Sequence, residues 1–358
     1  MFVSNTAPMD KEITIYDIAK ALNLSPTTIS RALNDHPAVN KKTKQRIEEM
    51  ACQLGYRSNI FASNLRKQHT NNIGVIVPRL NSMVMSSIIA GMEKTANEAG
   101  YNLIISQSLE TLQKEIANTR SMFDSRVDGL LVSLAYETEN LEHFEPFINK
   151  GIPVIFYDRV GEHKQCSSIV IDNLQAAYKA TAHLIEQGCR SIVHITGNLK
   201  RNVYSDRLKG YKYALIDHDL SFEDSNVIIN NLSEEAGEEA ARQILSMKSL
   251  PDGIFVANDT CAVSCLKTLK QAGVSIPKEI AIIGFNNDPI SRVIEPNLTT
   301  IDYPGYEMGE VAVQKLIFQL NGAQDALPGN NIQLRSELII RDSSLKSKAS
   351  SKSKKLSV

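Results

Sequence analysis

From Ile73 to Gly284 the chain alternates short apolar runs with amphipathic stretches, and nothing else in the sequence narrows the fold as much. Ile73–Pro78, Leu103–Ser106, Gly129–Ser133, Val154–Tyr157, Ser191–Ile195, Val227–Ile229, Gly253–Val256 and Ile280–Gly284 read as strands. The stretches between them predict helices over 83–99, 110–123, 140–149, 174–187, 205–218, 234–247 and 260–271. Continuous apolar runs suit strands buried on both faces, so parallel sheets covered by helices are expected. The fold class is α/β, with two successive sets of units forming two doubly wound lobes. Ligands of such sheets lie beyond the carboxyl ends of the strands.

Residues 14–56 depart from that alternation and read as three short helices. Ile15, Ile18, Ala19 and Leu22 share a face of the first. Ser25 followed by Pro26 is an N-cap with proline at the first helical position, opening a second helix through Asn34. A third starts near Asn40, buries Ile47, Met50, Ala51 and Leu54, and stops at Gly55. Only Asn23-Leu24-Ser25 separates the first two, a spacing that demands a tight helix–turn–helix. The expected organisation is a head over 12–57, a linker over 58–72 and a two-lobed body over 73–342. Lobe 1 is assigned 73–172 plus 303–330 and lobe 2 is assigned 173–300 plus 331–342. The Ser/Lys-rich residues 343–358 form a low-complexity tail expected to be disordered.

Charge supports a division of labour. The formal net charge of −1 hides ten Lys/Arg against five Asp/Glu in residues 11–67, and five Lys with no acid in 343–358. A basic head on an acidic body suits a polyanion partner at one end. No run of about 18 apolar residues exists to span a membrane. The start of the chain lacks a secretory layout, and five scattered cysteines form no CxxC pair. A cytoplasmic protein with reduced thiols is therefore expected. The phosphate-cradling GxxxxGK[ST], GxSxG and HExxH are absent and the seven histidines are dispersed. Neither a catalytic apparatus, a cofactor nor a metal site is expected.

The second helix carries the sharpest signal. Ser25, Pro26, Thr27 and Thr28 crowd its start and Arg31 lies one turn on. Short hydrogen-bonding side chains at a leading end suit base edges in a major groove, while exposed N–H groups and cations suit phosphate. Taken alone, the same cap serves an ordinary surface helix equally well. The wider pattern of Thr14-Ile15-Tyr16-Asp17-Ile18-Ala19, LSPTTISRALN, Val39-Asn40-x-x-Thr43 and Leu54-Gly55-Tyr56 resembles the DNA-binding head of the LacI family, the lactose-repressor-like transcription regulators. The likeness continues through Leu298-Thr299-Thr300-Ile301 and covers residues 12–342.

That resemblance implies double-stranded DNA, a pseudo-palindromic operator, as the partner of a homodimer. Thr27 matches the main base-reading position, with Pro26 beside it offering apolar contact. Ser25, Thr28 and Asn34 match phosphate contacts, Arg31 a phosphate or guanine contact, and Tyr16 another phosphate contact, with Thr14 in the same set. In the linker the resemblance implies a hinge helix capped by Asn59, with Ala62 facing the groove floor and Leu65 as a wedge between base pairs. Relatives often have Pro and Arg where this chain has Ser58 and Ser63.

The lobes resemble periplasmic sugar-binding proteins. Asp158, Asn258 and Asn286 each follow a predicted strand, where a cleft ligand lies. By resemblance Asp158, Arg207 and Asn286 match effector-binding positions, Arg201 and Val203 lie on the adjoining loop, and Val84 and Met85 replace aromatic residues of relatives. The expected effector is a small metabolite, a sugar or sugar derivative; with Asn286 where Asp is frequent it need not be a plain hexose, and Arg201 and Arg207 are both available to a charged sugar such as a uronate or phosphosugar. The polar tail has no apolar heptads, which predicts a dimer and not a tetramer.

Overall fold

The structure is a computed structural model, and residues 13–56, 69–322 and 329–346 are described. The hinge candidates Asn59, Ala62 and Leu65 lie outside the described residues. The chain divides into two units after Thr70.

The head holds α1 (Ile15–Leu22), α2 (Pro26–Leu33) and α3 (Lys41–Gln53). Ile18, Ile29 and Ile47 are fully buried at the point where the three helices meet, with Ala19, Ala32 and Ala51 between them. Alanine at those positions lets short helices approach closely enough to share one small core. Ser25 Oγ accepts the Thr28 N–H at 3.1 Å and caps α2. Asn40 Oδ1 does the same for α3 through the Thr43 N–H at 2.8 Å.

The second unit contains two parallel sheets. The first comprises β1 (Asn72–Val77), β2 (Asn102–Gln107), β3 (Gly129–Val132), β4 (Val154–Tyr157), β5 (Ser167–Ile171) and β11 (Asn331–Leu334), in the order β11-β5-β4-β3-β1-β2. The second is β7-β6-β8-β9, made of β6 (Ile192–Thr196), β7 (Val227–Ile229), β8 (Gly253–Val256) and β9 (Ala281–Ile283). β10 (Thr300–Asp302) and β12 (Glu337–Ile339) pair antiparallel as the chain crosses between lobes. Helices α4 (Met83–Glu98), α5 (Leu112–Asp124), α6 (Glu145–Asn149) and α11 (Gly305–Leu320) accompany the first sheet. Helices α7 (Asn173–Glu186), α8 (Asn202–Asp217), α9 (Glu234–Leu245) and α10 (Asp259–Gln271) accompany the second. β3, β4, β6, β8 and β9 are buried along their whole length, the condition that apolar runs predict, although β6 carries His194 and Thr196 within it.

Four sequence expectations change. The helix expected over 140–149 is a 3-10 turn at Glu142–Phe144 followed by α6, because Pro146 has no N–H to extend a ladder. The helix expected from 110 starts at Leu112, since Leu109 and Glu110 take φ 51° and 67°. The segment 331–342, assigned to lobe 2, splits: Asn331–Leu334 pairs with Ser168–Ile171 in the first sheet, and only the end of the segment returns to lobe 2. The tail expected to be disordered from 343 has an ordered start. Ser343 and Ser344 are fully buried, their hydroxyls bonding Ile282 O at 2.6 Å and Thr299 Oγ1 at 2.7 Å. Small hydroxyls there satisfy backbone and side-chain groups beside β9, which apolar patterning does not reveal.

Candidate nucleic-acid interface and effector cleft

In the head, α2 presents Thr27 and Arg31 to solvent and turns Ile29 and Ala32 inward. Pro26 and Thr28 are half-buried, and Thr28 Oγ1 lies 2.8 Å from Ser25 Oγ. Asn34 Nδ2 donates to Ser30 O at 2.7 Å. Tyr16 is 68% exposed on α1. Thr14 N–H and Oγ1–H both donate to Asp17 Oδ2, at 2.8 and 2.7 Å. Ser25 and Asn34 thus lie at the two ends of α2 and Thr14 at the start of α1, all three at the surface.

The body has a cavity of about 340 Å³ between the two lobes, at the carboxyl ends of the strands. Val84, Met85, Asp158, Arg207, Asn258 and Asn286 all line it. β4 ends directly in Asp158, whose φ of 59° turns the chain so that its carboxylate accepts Tyr303 Oη–H at 2.7 Å. Arg207 is 4% exposed. It donates Nε–H to Asn173 Oδ1 at 2.9 Å and Nη1–H to Ala257 O at 2.7 Å, and lies 3.5 Å over the Phe285 ring. Burial holds its guanidinium below the ordinary arginine range, and Nη2 has no protein partner among the described residues. Asn286 adopts φ 115°, and its neighbour Asp288 is pushed up to about 6 by burial, against a hydrogen bond from Asn286.

Two expected site residues are placed differently. Asn258 lines the cavity but is spent on structure: Oδ1 caps α10 at the Cys261 N–H, 2.8 Å away, and Nδ2 donates to Leu232 O at 3.0 Å. Arg201 does not reach the cavity. It caps α8, donates Nη2–H to Thr138 O, and borders a separate hollow with Thr138, Glu139 and Lys200. Its guanidinium thereby joins α8 to the segment after β3.

The sequence reading passed over Glu110, Tyr136, Tyr204 and Tyr303, which line the same cavity. Tyr136 from lobe 1 and Tyr204 from α8 meet at 3.0 Å between hydroxyls. Asn202 spans the lobes beside them, accepting from Val160 N at 3.0 Å and donating to Asp158 O at 3.0 Å. Tyr204 and Arg207 sit three residues apart on one helix, the helical spacing that could have marked Tyr204. Glu110 carries no comparable signal, because a turn of positive φ places it.

The family model described as bacterial regulatory proteins, lacI family, matches residues 14–59, and the periplasmic binding protein-like domain matches residues 181–344. Catabolite control protein A of Priestia megaterium is 31% identical over 332 residues, 92% of this chain and 99% of that protein. The chain belongs to the LacI family. A second LacI-family relative, the HTH-type transcriptional repressor PurR of Klebsiella pneumoniae, is 30% identical over 332 residues, 92% of this chain and 96% of its own length. The lac repressor dimer bound to operator and the anti-inducer ONPF has the same fold, with a TM-score of 0.84 at 22% identity over 94% of this chain and 100% of that one. This LacI-family chain is a DNA-binding transcription regulator with a ligand-binding, periplasmic-protein-like body, and not an enzyme. Among the described residues no helix is long and apolar enough to cross a membrane, and no group of His, Cys, Asp and Glu could hold a metal ion.

Proposed function

We propose that the protein is a cytoplasmic, homodimeric repressor whose hold on a pseudo-palindromic operator is set by a hydroxylated metabolite carrying one acidic group, a sugar acid or sugar phosphate. Arg207 carries this reading: it is a buried cation that, among the described residues, has no carboxylate within hydrogen-bond distance, lining the cavity across from Asp158. A forked guanidinium suits an acidic oxygen and a carboxylate suits hydroxyl hydrogens. About 340 Å³ matches a ligand of one sugar ring, at the small end of known pockets. Val84 and Met85 offer the ring an apolar edge. Thr27 and Pro26 read bases while Arg31, Thr28, Ser25, Asn34, Tyr16 and Thr14 meet the backbone. Two relatives' names speak of catabolite control and of transcriptional repression, which supports the repressor reading. Ligand binding that favours one lobe angle changes operator affinity by population shift.

The test has two stages. An operator is selected from a random duplex pool, and a thermal-shift screen of sugars, uronates and sugar phosphates then supplies ligands for operator binding. A uronate or phosphosugar is expected to change operator affinity. A panel in which only uncharged ligands act, or none does, removes the acidic-group reading.

A further inference from the structure

The first-lobe wall of the cavity holds two more arginines, Arg79 and Arg159, and the chain supplies its own acid to both. Leu109 and Glu110 lie consecutively in the left-handed region, which residues with a Cβ enter at a cost. That turn brings the Glu110 side chain into the cavity, 9% exposed. Arg159 Nη1–H donates to Glu110 Oε1 and Oε2 at 3.0 and 2.8 Å, and Tyr136 N–H donates to Oε2 at 3.2 Å. Arg79 Nε lies 3.6 Å from Oε1. Arg159 is held further by the Tyr136 ring at 4.2 Å and by Tyr204 Oη at 3.3 Å. Two walls of one cavity therefore differ in how their cations are held: among the described residues Arg207 bonds no carboxylate directly and feels Asp158 only from a distance, whereas Arg79 and Arg159 share the buried Glu110 carboxylate at contact.

An anion approaching Arg159 meets the Glu110 charge at contact distance in a medium of low polarity, where like charges repel strongly. Excluding the wrong ligand by a built-in like charge is a recurrent route to specificity. We propose that Glu110 is a specificity-determining residue of the cleft, occupying Arg79 and Arg159 and confining an effector's acidic group to the Arg207 side. This deepens the reading of an effector with one acidic group and rests on it for biological meaning.

Inorganic sulfate tests the charge arrangement without knowledge of the effector. Glu110→Gln keeps the shape and the acceptor for Tyr136 N–H but removes the charge. At constant ionic strength its thermal midpoint is expected to rise with sulfate at concentrations about tenfold lower than wild type requires, the scale of one charge-assisted hydrogen bond. The double variant Glu110→Gln with Arg159→Gln is expected to lose that gain. Equal sulfate response in wild type and Glu110→Gln, or a gain that survives in the double variant, overturns the proposal. Should Glu110→Gln fail to fold, crystals of the wild-type protein soaked in sulfate decide the matter. Sulfate at Arg207 and none at Arg159 supports it; sulfate on Arg159, or at neither arginine, overturns it. Because no arm uses a sugar, failure of the metabolite screen would remove the effector reading and leave the sulfate result standing.

Discussion

Replacing Arg207 with methionine separates a ligand-binding role from a packing role. Methionine keeps much of the length and loses every donor. On the stability side, Asn173 Oδ1 and Ala257 O each lose a hydrogen bond in a site where both residues are buried. Leaving two buried acceptors unpaired costs about 1–3 kcal/mol each. Loss of the cation over Phe285 costs roughly 2 kcal/mol, partly offset by sulfur–ring contact of about 1 kcal/mol. Against this stands relief from burying a cation that has no carboxylate in hydrogen-bond reach among the described residues, a penalty on the order of several kcal/mol, the same burial that depresses its pKa. The two sides nearly cancel, so the net change in stability is expected within roughly 2 kcal/mol of zero, a melting shift of a few degrees. Effector binding has no such offset. Loss of one charge-assisted hydrogen bond costs about 1.5–3 kcal/mol, or roughly ten- to a hundredfold in affinity. Anisotropy of labelled operator, titrated with the effector, should show the response midpoint displaced by that factor while operator affinity without effector stays within about twofold. A midpoint unchanged within threefold, together with a melting temperature ten or more degrees lower, would refute the reasoning and make Arg207 a packing residue.

Arg31→Ala should weaken operator binding and reduce the slope of log affinity against log salt by about 0.9, one phosphate's worth of counterion release; an unchanged slope means that Arg31 meets no phosphate. Gly309→Ala should destabilise the first lobe by roughly 1–3 kcal/mol or more in urea unfolding. An added Cβ there would lie 2.0 Å from Ile88 O and 2.7 Å from Met92 N, where α11 crosses α4. His194, fully buried between the Tyr211 and Phe255 rings with Nε2 unpartnered among the described residues, has its pKa pushed down to about 3 by burial. A folded pKa below the unfolded one stabilises above the unfolded value near 6.5 and loses that contribution as pH falls towards 3. His194→Phe should therefore flatten the acid limb of the stability curve below pH 6.5, as followed by denaturant unfolding at fixed pH. Asp259 acts in the opposite direction. Burial pushes it up to about 8, so its contribution is complete below its ordinary value of 3.8 and is lost as pH rises through 8.

Much of this architecture was legible because parallel strands covered on both faces cannot hide: Val154–Tyr157 and Gly253–Val256 are buried throughout, and their apolar runs mark them. The strand-end rule also located polar residues that one cavity collects, Asp158 after β4 and Asn286 after β9. It failed where position depends on returns of the chain. Thr300–Asp302 and Glu337–Ile339 are three-residue strands, too short for a period, and exist because each crossing pairs with the other. Asn331–Leu334 reads as half-polar, since an edge strand with pattern exposed–half–exposed–buried has no need of a full apolar run. Arg201 misled because sequence shows a cation near a cleft and cannot show that Thr138 O takes it first.

The residues that sequence reading missed also explain how ligand and lobe angle can be linked. Arg207 lies in the cavity, and one turn earlier on the same rigid helix Tyr204 meets Tyr136 and Arg159 of the other lobe. Asn202, at the start of that helix, bonds the Asp158 carbonyl, whose own side chain enters the cavity. On the proposed reading, a ligand held between Arg207 and Asp158 would pull on two segments already joined to each other across the lobes. Any displacement of one shortens or breaks contacts made by the other. Coupling requires a differential interaction with two arrangements of one element, not a long relay of residues. The first two turns of α8 meet that requirement, since they carry cavity-facing and lobe-joining groups on one backbone.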